Sequence, residues 1–201
     1  MEDDRFVRSF IAIELSPTII DNIRKVQDEL KKGTSQVAWV KPENIHLTIR
    51  FLGDIKTDII NDINKIIELA ASQLSNFKLS IKRIGAFPKI DNPRVIWVGV
   101  EDDSDLSRLY NEIENGLVAL GFKKEERSFK PHLTLGRIRI LKNRQELREM
   151  LERFADTNLG NFAVLGISLF KSKLTPTGAI YTKVKEVKLK TGEKQSAIGD
   201  R

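Results

Sequence analysis

The chain has 201 residues, 40% of them hydrophobic and 31% charged, with no cysteine and a net charge of +6. That length suits one domain or two small lobes on a shared core, and the balance is globular rather than disordered. The absence of cysteine excludes a disulfide scaffold, a thiolate nucleophile and a cysteine zinc site; no window approaches the ~20 apolar residues of a membrane span. The acidic start lacks the basic, long-apolar pattern of a secretory signal, so the expectation is a soluble, cytoplasmic protein with no membrane contact.

Residues 9–15 predict a strand. Pro17 opens a helix that carries Ile19, Ile20, Ile23, Val26 and Leu30 on one face and closes at Gly33. Residues 37–40 suit a short strand and 41–44 a turn around Pro42. Residues 45–52 predict a strand ended by Gly53 and Asp54, 58–74 a helix, and 77–84 a strand. The order then repeats: strand 94–100, helix 103–120, strand 132–140, helix 145–154, strand 162–170, with an extra strand at 179–189. Residues 191–201 read as a polar tail.

An offset of 86 maps His46 onto His132, Ile11 onto Trp97, and 77–84 onto 163–170. The predicted fold class is therefore α+β and bilobal. Two pseudo-twofold lobes, each an antiparallel sheet with helices, flank a central cleft across which whatever repeats in both halves faces itself. Residues 1–190 form one domain, with halves at about 1–86 and 87–190.

The two histidines carry the chemistry. Each opens a His-Leu-Thr run, His46-Leu47-Thr48 and His132-Leu133-Thr134, at the repeat offset. Side chains alternate along a strand, so His46 and Thr48 share one face while Ile45, Leu47 and Ile49 face the core. His132 and Thr134 behave alike. Each lobe thus presents an imidazole and a hydroxyl, and symmetry sets the pairs opposite each other with room for a small anion. A neutral histidine can take a proton from a nucleophile and a protonated one can give a proton to a leaving oxygen. Threonine hydroxyls can donate to phosphate oxygens where charge develops. Two distant histidines without cysteine or a His-Glu-x-x-His pattern do not compose a metal shell, so neither metal nor cofactor is expected.

The charge is uneven. Residues 1–86 are net +1 and residues 87–201 net +5, and residues 123–148 alone hold nine basic and three acidic side chains. Such a field favours an anionic partner, nucleic acid being the common one, although a lysine-rich solvated surface reads the same way.

The chain resembles the two-histidine (2H) phosphoesterase superfamily and, within it, the RNA 2′,3′-cyclic phosphodiesterases, also called 2′-5′ RNA ligases. The resemblance lies in Phe10–Leu15, in Trp39 and Pro42-Glu43-Asn44 before His46, in Arg50-Phe51-Leu52-Gly53 after it, in 94–100 and in 129–137. It implies hydrolysis of a terminal 2′,3′-cyclic phosphate to a 2′-phosphate, with reversible 2′-5′ joining as a further activity. It implies His46 as the acid for the leaving 3′ oxygen and His132 as the base for water, an order the pseudo-symmetric residues themselves leave open. It also implies an active site in the central cleft and phosphate contact by Arg137, with RNA ends bearing cyclic phosphate, tRNA halves included, as partners; two lobes that already supply both halves of a site suit a monomer.

Arg137 lies five residues past His132, the wrong parity for a regular strand, unless a bulge near Gly136 turns it inward. Arg50, four residues past His46, has the right parity and is an outside candidate for phosphate. Phe10, Phe129 and Tyr181 are aromatic candidates for stacking a base, the first two better suited to the core. Two rival functions remain at this stage: a phosphodiesterase of small 2′,5′-linked or cyclic nucleotides, and an RNA- or tRNA-binding module with vestigial activity.

Overall fold

Helix α1 (Pro17–Leu30) begins where its cap sits. The Ser16 side chain accepts from the Ile19 amide, Pro17 fills the first turn, and Ile19, Ile23, Val26 and Leu30 are buried along one stripe. The computed structural model describes residues 5–33, 35–101, 104–176 and 178–191. The tail expected at 191–201 lies outside them beyond its first residue.

The other elements are β1 (Phe6–Glu14), β2 (Gln36–Trp39), β3 (His46–Lys56), α2 (Ile60–Ser72), β4 (Phe77–Phe87), β5 (Val95–Glu101), α3 (Asp105–Ala119), β6 (His132–Ile140), α4 (Arg144–Arg153), β7 (Asn158–Val164), β8 (Gly166–Thr175) and β9 (Gly178–Lys188). They form two antiparallel sheets, ordered β3-β1-β8-β9 and β2-β6-β5-β4-β7. Helices α2 and α3 pack on the first sheet, α1 and α4 on the second. The fold is α+β and bilobal, with a cleft between the sheets, and each sheet draws strands from both halves of the sequence. β8 joins β1, and β4 joins β5, in matching places.

Three elements differ from their sequence reading. The strand expected at 162–170 is two strands: the chain leaves β4 at Val164 and joins β1 through β8, crossing between sheets at Leu165. Apolar residues continue through the crossing, so hydropathy gives no sign of it. β3 does not stop at Gly53, which takes φ +72°, open to glycine, while pairing with β1 continues to Lys56. Register also trims the repeat. Ile11 stands opposite Arg50 and Ile96 opposite Gly136, so β1 and β5 correspond at 85 while the histidines correspond at 86.

Between the helices and the second sheet sits a buried polar side chain, Gln27. Its Nε2 donates to the carbonyls of Val40 and Leu135, both at 2.9 Å. Leu135 O also accepts the Val40 amide at 2.9 Å. Gln27→Met should lower stability by about 2 kcal/mol, or about 4–8 °C in Tm, since two buried carbonyls lose a donor. Thermal unfolding of the variant checks this.

Candidate active site

Each histidine opens its strand and is tied to its own chain. His46 Nδ1 lies 2.9 Å from the Asn44 carbonyl, and His132 Nδ1 lies 2.7 Å from the Lys130 carbonyl. A carbonyl only accepts, so Nδ1 carries the hydrogen in both rings and Nε2 is left for chemistry. The same local bond occurs in both halves, two residues before each ring.

Strand register decides what stands beside them. In β3, His46 faces Glu14 and Thr48 faces Ala12; the pairing then slips one residue, so Arg50 faces Ile11 and Phe51 faces Phe10. Directly paired residues share a face. His46, Thr48 and Phe51 therefore share a face, and the extra residue, Ile49, turns Arg50 to the other. In β6, His132 faces Gly99 and Thr134 faces Trp97; after one slip Gly136 faces Ile96 and Arg137 faces Val95. Here Leu135 is the extra residue, and Arg137 comes onto the face of His132 and Thr134. The bulge that Arg137 requires is present, one residue before Gly136. Gly136 has its own constraint: a Cβ there would sit 2.6 Å from Val37 Cγ1 on β2.

The same slip overturns the expectation for Arg50. Its side chain, 13% exposed, pairs with Glu114 of α3 at 2.9 Å and Glu125 at 3.1 Å. It also donates to the Lys123 carbonyl at 2.7 Å. It braces the segment leading towards His132 from behind the sheet and does not face the cleft.

The His46 wall is aromatic. Phe10 stacks on the ring at 4.6 Å, Tyr181 stands edge-on at 5.2 Å, and Phe170 lies beyond Phe10 at 5.2 Å. Phe10 is buried, and Phe129 stacks on Tyr110 at 4.3 Å, so both are packing residues. Phe51 is 64% exposed on the His46 face. Strand parity counted from His46 points it away, and the extra residue at Ile49 brings it round. The His132 wall is more open, with Phe87 edge-on to the ring at 5.0 Å.

The walls meet. Cα atoms of β3 and β6 come within 8 Å of each other. Burial raises the Tyr181 hydroxyl above its usual pKa, and the positive charge of Arg137 pulls it partly back. Thus a residue of the second sheet acts on the residue edge-on to His46. Among the described residues, no three His, Cys, Asp or Glu side chains gather as metal ligands, and no helix is long and apolar enough to cross a membrane.

Burial pushes His46 below its usual pKa; the bond to Asn44 O and the nearby Glu14 carboxylate pull it partly back. The folded ring then holds fewer protons than the unfolded chain just below pH 6.5, so its contribution lowers stability as pH falls through that range and is neutral above it. An NMR titration should find His46 turning over below 6.5, the ordinary value, and lower still in Glu14→Gln. A value above 6.5 in the free protein would contradict the burial seen here.

A cleft walled by two sheets, each wall offering an imidazole and a threonine, is the layout of a phosphoesterase with internal symmetry. A LigT-like phosphoesterase family profile matches the chain twice, over residues 13–97 and 98–181. An RNA 2′,3′-cyclic phosphodiesterase of Methanothermobacter thermautotrophicus is 35% identical over 91% of this chain and 99% of its own. One of Methanocaldococcus jannaschii is 38% identical over 90% and 99%. In fold, a Thermus thermophilus protein superposes with a TM-score of 0.80 at 24% identity, covering 92% of this chain and all of its own. Escherichia coli LigT superposes at 0.69 and 24% identity, covering 93% and 99%. The chain belongs to the LigT-like 2H phosphoesterases, in their RNA 2′,3′-cyclic phosphodiesterase family.

Proposed function

We propose that this enzyme opens terminal 2′,3′-cyclic phosphates on RNA to 2′-phosphates by histidine acid–base catalysis without a metal, and that with a 5′-hydroxyl in place of water it carries out a reversible 2′-5′ joining. The observation that carries the reading is the matched His-Thr pair on each wall, each ring presenting Nε2 from the same Nδ1 tether.

Water attacks phosphorus and gives its proton to His132 Nε2. The bond from phosphorus to the 3′ oxygen breaks, and His46 Nε2–H supplies the proton that makes the 3′-hydroxyl. Thr48 and Thr134 donate to the non-bridging oxygens, and Arg137 holds the same oxygens through its guanidinium fork. Burial works against a protonated His46 in the free protein. The phosphate anion raises the ring towards its charged form, so the acid is armed by the substrate. Phe51 offers the terminal base an exposed apolar surface on the same wall. Each sheet needs strands from both halves, so residues 1–190 act as one catalytic domain, and a monomer suffices.

The test is an RNA ending in 2′,3′-cyclic phosphate, incubated with the protein and EDTA. The expected product is a 2′-monophosphate, with a bell-shaped pH profile. His46→Ala and His132→Ala should each lose about 10²-fold or more in turnover, and Thr48→Val and Thr134→Val about 10²-fold. Arg137→Ala should lose far more activity than Arg50→Ala loses at equal folded fraction. Turnover surviving loss of both histidines, or ending in EDTA, would refute the mechanism; RNA binding without turnover in the wild type would favour a binding module.

Inorganic phosphate should raise the NMR pKa of His46. A ring that phosphate leaves unmoved would take the base role, with His132 the acid.

A further inference from the structure

We propose that an open hollow of about 280 Å³ beside His132 is the subsite for the second strand in the joining direction, taking the first nucleoside of an RNA that ends in a 5′-hydroxyl. This rests on the function proposed above and names a substrate site within it. The hollow is lined by Trp97, Gly99, Glu101, Lys82, Arg83 and Pro131.

Register puts the hollow on the reacting face. Gly99 stands opposite His132, Trp97 opposite Thr134, and Glu101 lies two residues further along the face of Gly99. Pro131 immediately precedes His132. In an in-line displacement the nucleophile enters on the side of the base. For hydrolysis that nucleophile is water, which needs no hollow. For joining it is a 5′-hydroxyl, whose nucleoside must sit beyond it, on the His132 side. The volume is near the lower end for small-molecule sites, about 300 Å³.

The two walls differ at this point. The position matching Gly99 on the other wall is Glu14, opposite His46, and its carboxylate is taken up by Lys183 at 2.6 Å and Ser168 Oγ at 3.1 Å. The wall proposed for the leaving 3′ oxygen thus carries an ion-paired carboxylate where the wall of attack has a glycine.

The rim is built for a phosphate. Lys82 and Arg83 are consecutive, so a regular strand would send them to opposite faces. Both reach Glu101, at 3.2 and 2.8 Å. A register slip between Lys82 and Ile84, with Arg83 at φ +62°, brings them together. A non-glycine residue held there is strained. Two cations over one carboxylate leave a positive excess for the phosphate following the first nucleoside. Trp97 supplies an indole for the base to stack on, and its buried Nε1 has no hydrogen-bond partner in the structure.

In joining, the 5′-hydroxyl oxygen attacks phosphorus, its proton passes to His132, and the 3′ oxygen leaves with a proton from His46. A 2′-5′ phosphodiester and a 3′-hydroxyl result, with no other reactant.

The test uses the full chain with both rim charges reversed, Lys82→Glu with Arg83→Glu. The KM for a 5′-hydroxyl oligonucleotide in joining should rise about 5-fold or more, while hydrolysis of the cyclic end stays within about 2-fold. A second arm needs no turnover. With a 2′-phosphate-ended RNA bound, a 5′-hydroxyl dinucleotide should shift the Trp97 indole NMR signal in the wild type. Trp39→Phe assigns the two indoles. An unshifted Trp97 signal, an unchanged KM, or an equal fall in joining and hydrolysis overturns the subsite. Absence of hydrolysis in the wild type fails the proposed function itself and takes the subsite with it.

Discussion

The hydrogen bonds that Leu135 accepts from the Val40 amide and from Gln27 Nε2 hold one extra residue in β6. Without that residue Arg137 would face the helices, and the His132 wall would lose its guanidinium. The first wall has the same slip at Ile49, and it has the opposite chemical result. There the slip carries Arg50 away to Glu114 and brings Phe51 forward. One backbone device, used twice, leaves two similar walls with different third residues: a cation on one, an exposed ring on the other. The asymmetry suits a ligand that is itself unequal, anionic at its phosphate and apolar at its base.

Much of this was legible in the sequence. The paired His-Leu-Thr runs, the strands that bear them and the offset relating them need only period-two alternation and counting. The arginines show where counting fails. Parity from His46 favours Arg50 and parity from His132 disfavours Arg137, and a single inserted residue reverses both. A bulge of this kind is fixed by partners distant in sequence, such as Gln27 for Leu135, and leaves no hydropathy signal of its own. The crossing at Leu165 is similar: strand propensity runs on unbroken while the hydrogen-bond partner changes from β4 to β1.

The exchange of strands also explains why the halves work as a unit. The repeat visible in sequence divides the chain near residue 86, and the family profile matches it twice, but neither sheet is made from one half. β4 completes the sheet that carries His132, and β8 completes the sheet that carries His46. Damage to either half therefore disturbs both walls of the cleft.

Each imidazole is steered by a carbonyl only two residues earlier in its own chain. Neither ring looks to the facing sheet for its tautomer or its tilt. A change in the spacing of the sheets would therefore leave the tautomer and the local tether of each ring as they are.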